Sequence, residues 1–275
     1  MKYIIISRDD AKSKQIENRI KSEINGIYCD KNPDFVIAIG GDGTLLQAAH
    51  LYPNATIFGI HTGHLGFYCN YMEDDLDLLL SDINNNTFKI DEIEELRCDI
   101  LDYSDKVITN YALNEVTIVA PTRTLRLDVE ISGEYLEFFR GTGFCVSTPT
   151  GSTAYNKSLD GSVIDLKLKC LQLTEIAGIN SNAYRTLSSP LVLAADKKIT
   201  LNAIKPNDVF VTVDNLSYDI KNFKSLNVYY DGRKVKMAYH NLESFLKRIN
   251  RTFSISKEWF LWREIFLLNC FYYYF

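Results

Sequence analysis

Phe35-Val36-Ile37-Ala38-Ile39 is an unbroken apolar run of strand length that leads straight into Gly40-Gly41-Asp42-Gly43-Thr44. Such a run fits a strand buried on both faces, which occurs where helices cover a parallel sheet from either side. Leu45, Leu46, Ala49 and Tyr52 follow at helical spacing. Similar units surround this one. Tyr3 to Ser7 is a β-rich run followed by Ile16, Ile20 and Ile24 at helical spacing. Thr56 to Ile60 reads as another buried strand, and Leu76, Leu79, Leu80 and Ile83 give an i, i+3, i+4, i+7 helix. Strand and helix in alternation predict a parallel α/β sheet.

Near Asn84-Asn85-Asn86 the character changes, and this polar run is the best candidate for a domain boundary. Downstream, Leu125, Leu127, Val129 and Ile131 alternate with Arg126, Asp128 and Glu130, and Val209, Val211 and Val213 repeat the pattern. Ser132-Gly133 and Asp231-Gly232 sit between strand-like runs and predict hairpin turns. Leu166, Cys170, Leu173 and Ala177 share one face at helical spacing and predict a single helix in an otherwise β region.

Composition narrows the class. With 46% hydrophobic and 24% charged residues over 275, the chain is too apolar to be disordered and too mixed for a membrane bundle. A formal charge of −5 argues against wrapping nucleic acid. Six scattered cysteines, without a C-x-x-C pair or a Cys/His cluster, predict free thiols. The N-terminus reaches charge too early for a signal peptide. Residues 255–275 hold nine aromatics, including both tryptophans, but Arg263, Glu264 and Asn269 interrupt them. The tail thus falls short of the roughly 20 clean residues of a membrane span. The expectation is a cytoplasmic protein with no stable membrane span and no nucleic-acid partner.

Four segments carry chemistry. Glycines in Gly40-Gly41-Asp42-Gly43-Thr44 let backbone N–H groups approach a phosphate, and the helix N-terminus adds partial positive charge. It is neither a Walker A loop nor a dinucleotide G-x-G-x-x-G. Asp42 would repel phosphate unless it serves a metal or a hydroxyl; the plainer reading is an aspartate N-cap on an ordinary turn. His61-Thr62-Gly63-His64-Leu65-Gly66-Phe67-Tyr68 follows the next strand, where loops flank the ligand crevice of an open parallel sheet. Phe67 and Tyr68 suit an apolar ring. His61 and His64 lack a third ligand nearby and read as loop structure.

In Ser147-Thr148-Pro149-Thr150-Gly151-Ser152-Thr153-Ala154-Tyr155-Asn156, seven of ten residues carry a hydroxyl or an amide, which suits a nucleobase edge and its sugar. A polar surface loop is the alternative. Asn114-Glu115, within Ala112 to Ile118, places an amide and a carboxylate in an apolar strand, which is costly unless they are paired. Vicinal ribose hydroxyls would serve, and so would a neighbouring strand.

Together these segments closely resemble the NAD kinase family, of the bacterial type that uses ATP or polyphosphate. The shared features are a GGDG turn, a TGxLGF loop, an NE pair and an STPTGSTAY loop, in that order, with similarity from Met1 to about Phe253. GGDG alone is weak, since lipid kinases and phosphofructokinases carry related turns; the second and fourth motifs are far more specific. The resemblance implies an α/β N-terminal domain (1–88) for the phosphate donor and catalysis, and a mainly β domain (89–240) that binds NAD. A return segment (241–254) on the first domain and an aromatic tail (255–275) without a recognisable counterpart complete the chain.

It also implies transfer of the γ-phosphoryl of ATP, or of polyphosphate, to the 2′-hydroxyl of the adenosine ribose of NAD. A divalent cation such as Mg²⁺ accompanies the donor, no residue is expected to ligate a metal, and assembly is as a homodimer or homotetramer. Asp42 corresponds to the family's base. Gly40, Gly41, Gly43 and Thr44 correspond to phosphate binding. NAD binding maps onto Asp42, Gly43, Phe67, Tyr68, Asn114, Glu115, Arg140, Thr142, Thr150, Thr153, Ala154, Tyr155, Asn156, Lys157, Ser158 and Ala177, the last placed on the predicted helix. The chain departs from the family at Thr142, usually aspartate, and at Leu159 to Leu166, which loses a glycine, a histidine and a proline. Asn215 stands where close relatives often have histidine. A dinucleotide-binding protein with weakened catalysis is the alternative function.

Overall fold

The computed structural model describes residues 1–63, 66–182 and 185–253. Its first part follows the predicted alternation: β1 (Lys2–Ser7), α1 (Ala11–Glu23), β2 (Ile27–Tyr28), β3 (Phe35–Gly40), α2 (Asp42–Leu51), β4 (Thr56–His61), β5 (Tyr71–Met72) and α3 (Leu76–Asn85). The strands pair in parallel in the order β4-β3-β1-β2. Ile37 and Ile39 of β3 pack with Ile16 and Ile20 of α1 and Leu79 and Ile83 of α3. Val36 and Ala38 instead pack with Leu45, Leu46 and Ala49 of α2. Helices therefore cover both faces, which is why β3 shows no polar alternation. The turn after β3 and the loop after β4 emerge side by side at the carboxyl edge of this sheet.

The second part comprises β6 (Lys89–Asp102), β7 (Val107–Ala112), β8 (Glu115–Val119), β9 (Leu125–Ile131), β10 (Glu134–Gly141), β11 (Gly143–Ser147), α4 (Tyr155–Ser158), β12 (Cys170–Ile176), β13 (Leu191–Ala194), β14 (Ile199–Val213), β15 (Leu216–Tyr239) and α5 (Phe245–Phe253). Its strands pair antiparallel around Leu127, Val129, Phe139, Phe144, Val211 and Phe223, all fully buried. Ser132 and Gly133, at φ +52° and +86°, make the predicted hairpin between β9 and β10. At its far end β15 pairs Lys236 and Met237 in parallel with Thr56 and Ile57 of β4, which joins the two parts into one sheet. Leu113 and Val235 from the second part pack into the same core as α2.

Four expectations are corrected. The predicted helix through Cys170 is strand β12, hydrogen-bonded between β11 and β13. Cys170 to Thr174 are all buried, so two-residue alternation is hidden and a chance spacing of apolar residues remains. Ala177 consequently follows a strand, at φ +47°, and lies on no helix. Asp231-Gly232 is no hairpin but a bulge inside β15, where the register with β6 jumps between Tyr230 and Lys234. Ala112 to Ile118 is not one strand, because a bend at Leu113-Asn114 separates β7 from β8. His61 is not a loop residue but the buried last residue of β4, while His64 lies outside the described residues. The aromatic tail lies outside them too. Among the described residues no helix is long and apolar enough to cross a membrane.

Candidate active site

Gly41, not Asp42, is the N-cap of α2, and Asp42 opens the helix. The N-cap reading of Asp42 therefore fails. Its carboxylate reaches sideways to the loop after β4 and accepts the Phe67 N–H at 2.8 Å and the Tyr68 N–H at 3.1 Å. A Cβ on Gly66 would collide with that carboxylate. The first two sequence motifs thus lock together through one half-buried side chain. Burial holds the neighbouring His61 below the ordinary imidazole range, against the pull of the Asp42 charge. Its Nδ1 accepts the Gly63 N–H.

The remaining segments join in sequence. Tyr68, itself buried, donates its hydroxyl to Asn114 Oδ1 at 2.6 Å. Thr148 and Thr150 donate their hydroxyls to the Leu113 carbonyl at 2.6 and 2.9 Å, and the Thr148 N–H bonds the Asn114 carbonyl. Gly151 lies so close to the Asn114 carbonyl that a Cβ would clash with it. A short turn over Gly151–Thr153 leads into α4, where the Tyr155 N–H bonds Glu115. One continuous hydrogen-bonded path thus runs from Asp42 through Tyr68 and Asn114 to the 147–156 loop.

Asp214 holds this path in place, and sequence reasoning missed it. At φ +51° in the turn between β14 and β15, it accepts the N–H groups of Leu113 at 2.8 Å, Asn114 at 2.8 Å and Glu115 at 3.2 Å. His50 of α2 stands 3.3 Å from Asp214 Oδ2 but out of line for a hydrogen bond. Burial, and then the Asp214 charge, push the Glu115 carboxyl up to about 8, against the Tyr155 N–H. Glu115 Oε2 and Asn156 Nδ2 are buried with no hydrogen-bond partner among the described residues. Unsatisfied buried polar atoms of this kind are uncommon and point to a ligand or water.

Arg140, Thr142 and Ala177 form a second group. The Thr142 N–H bonds the Ile176 carbonyl and the Ile179 N–H bonds the Arg140 carbonyl. They stand at the Gly143 end of β11, whereas Asn114 and Glu115 stand at its Ser147 end. At ~3.4 Å per residue the six steps from Thr142 to Thr148 cover about 20 Å. Lys157 and Ser158 are exposed on α4, and the Lys157 ammonium sits 4.6 Å over the Phe253 ring. Thr153 and Ala154 are half-buried beside them.

Residues 6–88 match the ATP-NAD kinase N-terminal domain, and residues 102–237 match the ATP-NAD kinase C-terminal domain. An NAD kinase of Staphylococcus aureus (strain JH9) is 38% identical over 268 residues, covering 94% of this chain and 99% of that protein. The chain belongs to the ATP-NAD kinase family. Membership makes it a kinase that acts on NAD, the activity named for both matched domains. A yeast NADH kinase solved with NADH shares the kinase fold at a TM-score of 0.80 and 16% identity, over 93% of this chain and 88% of that one. An NAD kinase from Archaeoglobus fulgidus solved with ATP does so at 0.73 and 23%, over 93% and 100%.

α5 adds another contact that the kinase motifs do not announce. Arg248 is buried, and its guanidinium donates to the Phe67 carbonyl and to Asn70 Oδ1. Phe253 packs on Phe67 with ring centroids 5.6 Å apart. The amphipathic spacing of residues 245–253 was the available signal, but it names no partner.

Proposed function

We propose that this crevice transfers the γ-phosphoryl of ATP to the 2′-hydroxyl of the adenosine ribose of NAD, with Asp42 as the proton acceptor. The supporting observation is the path from Asp42 through Tyr68 to Asn114-Glu115, which ties the helix N-terminus to an unsatisfied buried carboxylate oxygen. Glu115 and Asn114 take the ribose hydroxyls, while Phe67, Tyr68 and residues 153–158 line the nucleoside. Arg140, Thr142 and Ala177 take a more distant part of the dinucleotide. The turn of Gly40, Gly41, Gly43 and Thr44 faces the donor phosphates at the start of α2, with the Thr44 N–H itself bonded to the Gly41 carbonyl at 3.0 Å.

A carboxylate is too weak a base to strip a sugar hydroxyl of its proton before attack, so Asp42 does not act first. A loose phosphoryl-transfer transition state does not demand it. Asp42 orients the hydroxyl and accepts its proton late. Among the described residues no three His, Cys, Asp or Glu side chains cluster as a metal cage. A divalent cation enters with the donor, as part of the substrate and held chiefly by its phosphates. The domain division at residue 88, with residues 241–254 returning to the first part, belongs to the same proposal.

A cytoplasmic site fits the five free thiols among the described cysteines, and assembly as a homodimer or homotetramer fits the exposed sheet edge at β13. The test incubates the purified chain with NAD, ATP and Mg²⁺ and couples the product to an NADP-specific dehydrogenase. NADP is expected. NAD binding without NADP would favour the weakened reading, and a parallel run with polyphosphate identifies the donor.

A further inference from the structure

We infer that Arg8 binds the polyphosphate chain of the donor, clamping it from the β1 side of the crevice. The inference rests on the phosphoryl-transfer reading of this crevice and adds a charged side chain to its glycine-rich backbone.

Arg8 is the first residue beyond β1, and its N–H donates to the Ile39 carbonyl at 2.9 Å. That bond seats it beside the GGDG turn, with its Cβ 3.4 Å from where a Cβ on Gly40 would stand. The guanidinium extends to the other motif: Nη1 and Nη2 lie 3.3 and 3.7 Å from where a Cβ on Gly63 would stand. The cation therefore lies between the turn after β3 and the loop after β4, over the carboxyl edge of the parallel sheet, where open α/β folds bind ligands.

The arm is held in this pose. Arg8 Nε donates to Asp10 Oδ2 at 2.6 Å. Asp10 is the N-cap of α1 and accepts from Ser13 N at 2.9 Å and Ser13 Oγ at 2.7 Å. Ser13 Oγ in turn contacts Thr62 Oγ1 at 3.0 Å, on the loop that the guanidinium faces. The hydrogen bonds of Arg8 among the described residues occupy its main chain and Nε, which leaves the Nη fork for a ligand. A planar fork fixed at one nitrogen is preorganised for paired phosphate oxygens. The side chain is 49% exposed, so a ligand can reach it. The charges of Asp42 and Arg8 both act on the same imidazole, His61, which places carboxylate and cation on one crevice.

A purely structural role has little to offer here, because an exposed ion pair such as Arg8–Asp10 adds little to stability. The test uses the full chain carrying Arg8→Gln or Arg8→Lys. Initial rates are measured against ATP at saturating NAD and against NAD at saturating ATP. Binding of a non-hydrolysable ATP analogue with Mg²⁺ is measured by calorimetry. For Arg8→Gln the KM for ATP and the Kd of the analogue rise at least ~10-fold, the low end for a charge-assisted hydrogen bond. Arg8→Lys shows a smaller rise, while the KM for NAD and the thermal midpoint stay at the parent values. Unchanged ATP and analogue binding in Arg8→Gln overturns the inference, and so does an equal rise in both KM values. If the parent binds the analogue yet makes no NADP, the phosphoryl-transfer reading fails, and the calorimetric comparison still decides Arg8.

Discussion

The carboxylate of Asp214 accepts the backbone N–H of Asn114 at 2.8 Å, across 100 residues of chain. With the Leu113 and Glu115 N–H groups it forms a three-donor cradle that fixes the bend carrying the NE pair. The pair is therefore presented by a side chain on a different hairpin, not by its own strand.

Asp214→Ala leaves three N–H groups without their acceptor. An unsatisfied buried group costs ~1–3 kcal/mol, and partial relaxation places the total at about 2–4 kcal/mol. Urea denaturation is expected to show that loss, together with a KM for NAD raised at least ~10-fold, since the bend moves. Asp214→Asn keeps one acceptor oxygen and loses less on both measures.

With NAD bound as proposed, Glu115 is expected to make its binding pH-dependent. Burial and the Asp214 charge hold its carboxyl up to about 8, so the free protein carries a proton there at neutral pH. Ribose hydroxyls that donate to Glu115 favour the carboxylate, so binding releases that proton. Affinity is expected to rise with pH, by up to tenfold per unit, and to level off above about 8. Calorimetry in buffers of different ionisation enthalpy measures the release directly. Glu115→Gln flattens the profile and weakens binding.

The same shift has a stability consequence of opposite sign. Between the ordinary carboxylate range and about pH 8, the folded protein holds a proton that the unfolded chain has lost. Stability from this group is therefore full at low pH and declines as pH rises through that window. Glu115→Gln removes the decline, so its thermal midpoint exceeds that of the parent most clearly near pH 8.5.

Two backbone positions in the β-rich part store strain. Ala177 and Asp160 lie at φ +47° and +59°, in the left-handed region. Alanine has no side-chain hydrogen bond to offset the cost, so Ala177→Gly is expected to stabilise the fold by about 1 kcal/mol. Aspartate tolerates this region better, so Asp160→Gly gains less than ~0.5 kcal/mol. Equilibrium denaturation separates the two. Asp160, where the resemblance leads one to expect glycine, thus holds the left-handed conformation itself, with the Gly161 N–H bonded to the Asn156 carbonyl.

What could be read from the chain followed from how local the cause was. β3, its glycine turn and α2 were legible because burial on both faces writes an unbroken apolar run. The same burial misled at β12, where Cys170 to Thr174 are all covered and an accidental helical spacing is left. Asp231-Gly232 has hairpin chemistry, but only the partner strand β6 decides that it is a bulge. At the site, the motif residues were legible as types suited to phosphate and ribose. The couplings among them were not. Asp42 bonds a loop 25 residues away, and Asp214 and Arg248 act on backbone about 100 and 181 residues distant.

Whether Asp42 accepts the proton of the 2′-hydroxyl is decided by Asp42→Asn. The turnover number with NAD and MgATP is measured beside NAD affinity by calorimetry. Asparagine keeps one acceptor for the Phe67 and Tyr68 N–H groups, so the loop stays close to its place and NAD binds within a few-fold of the parent. The expected kcat is lower by at least ~10²-fold. Turnover near the parent value, with NAD bound, would contradict it.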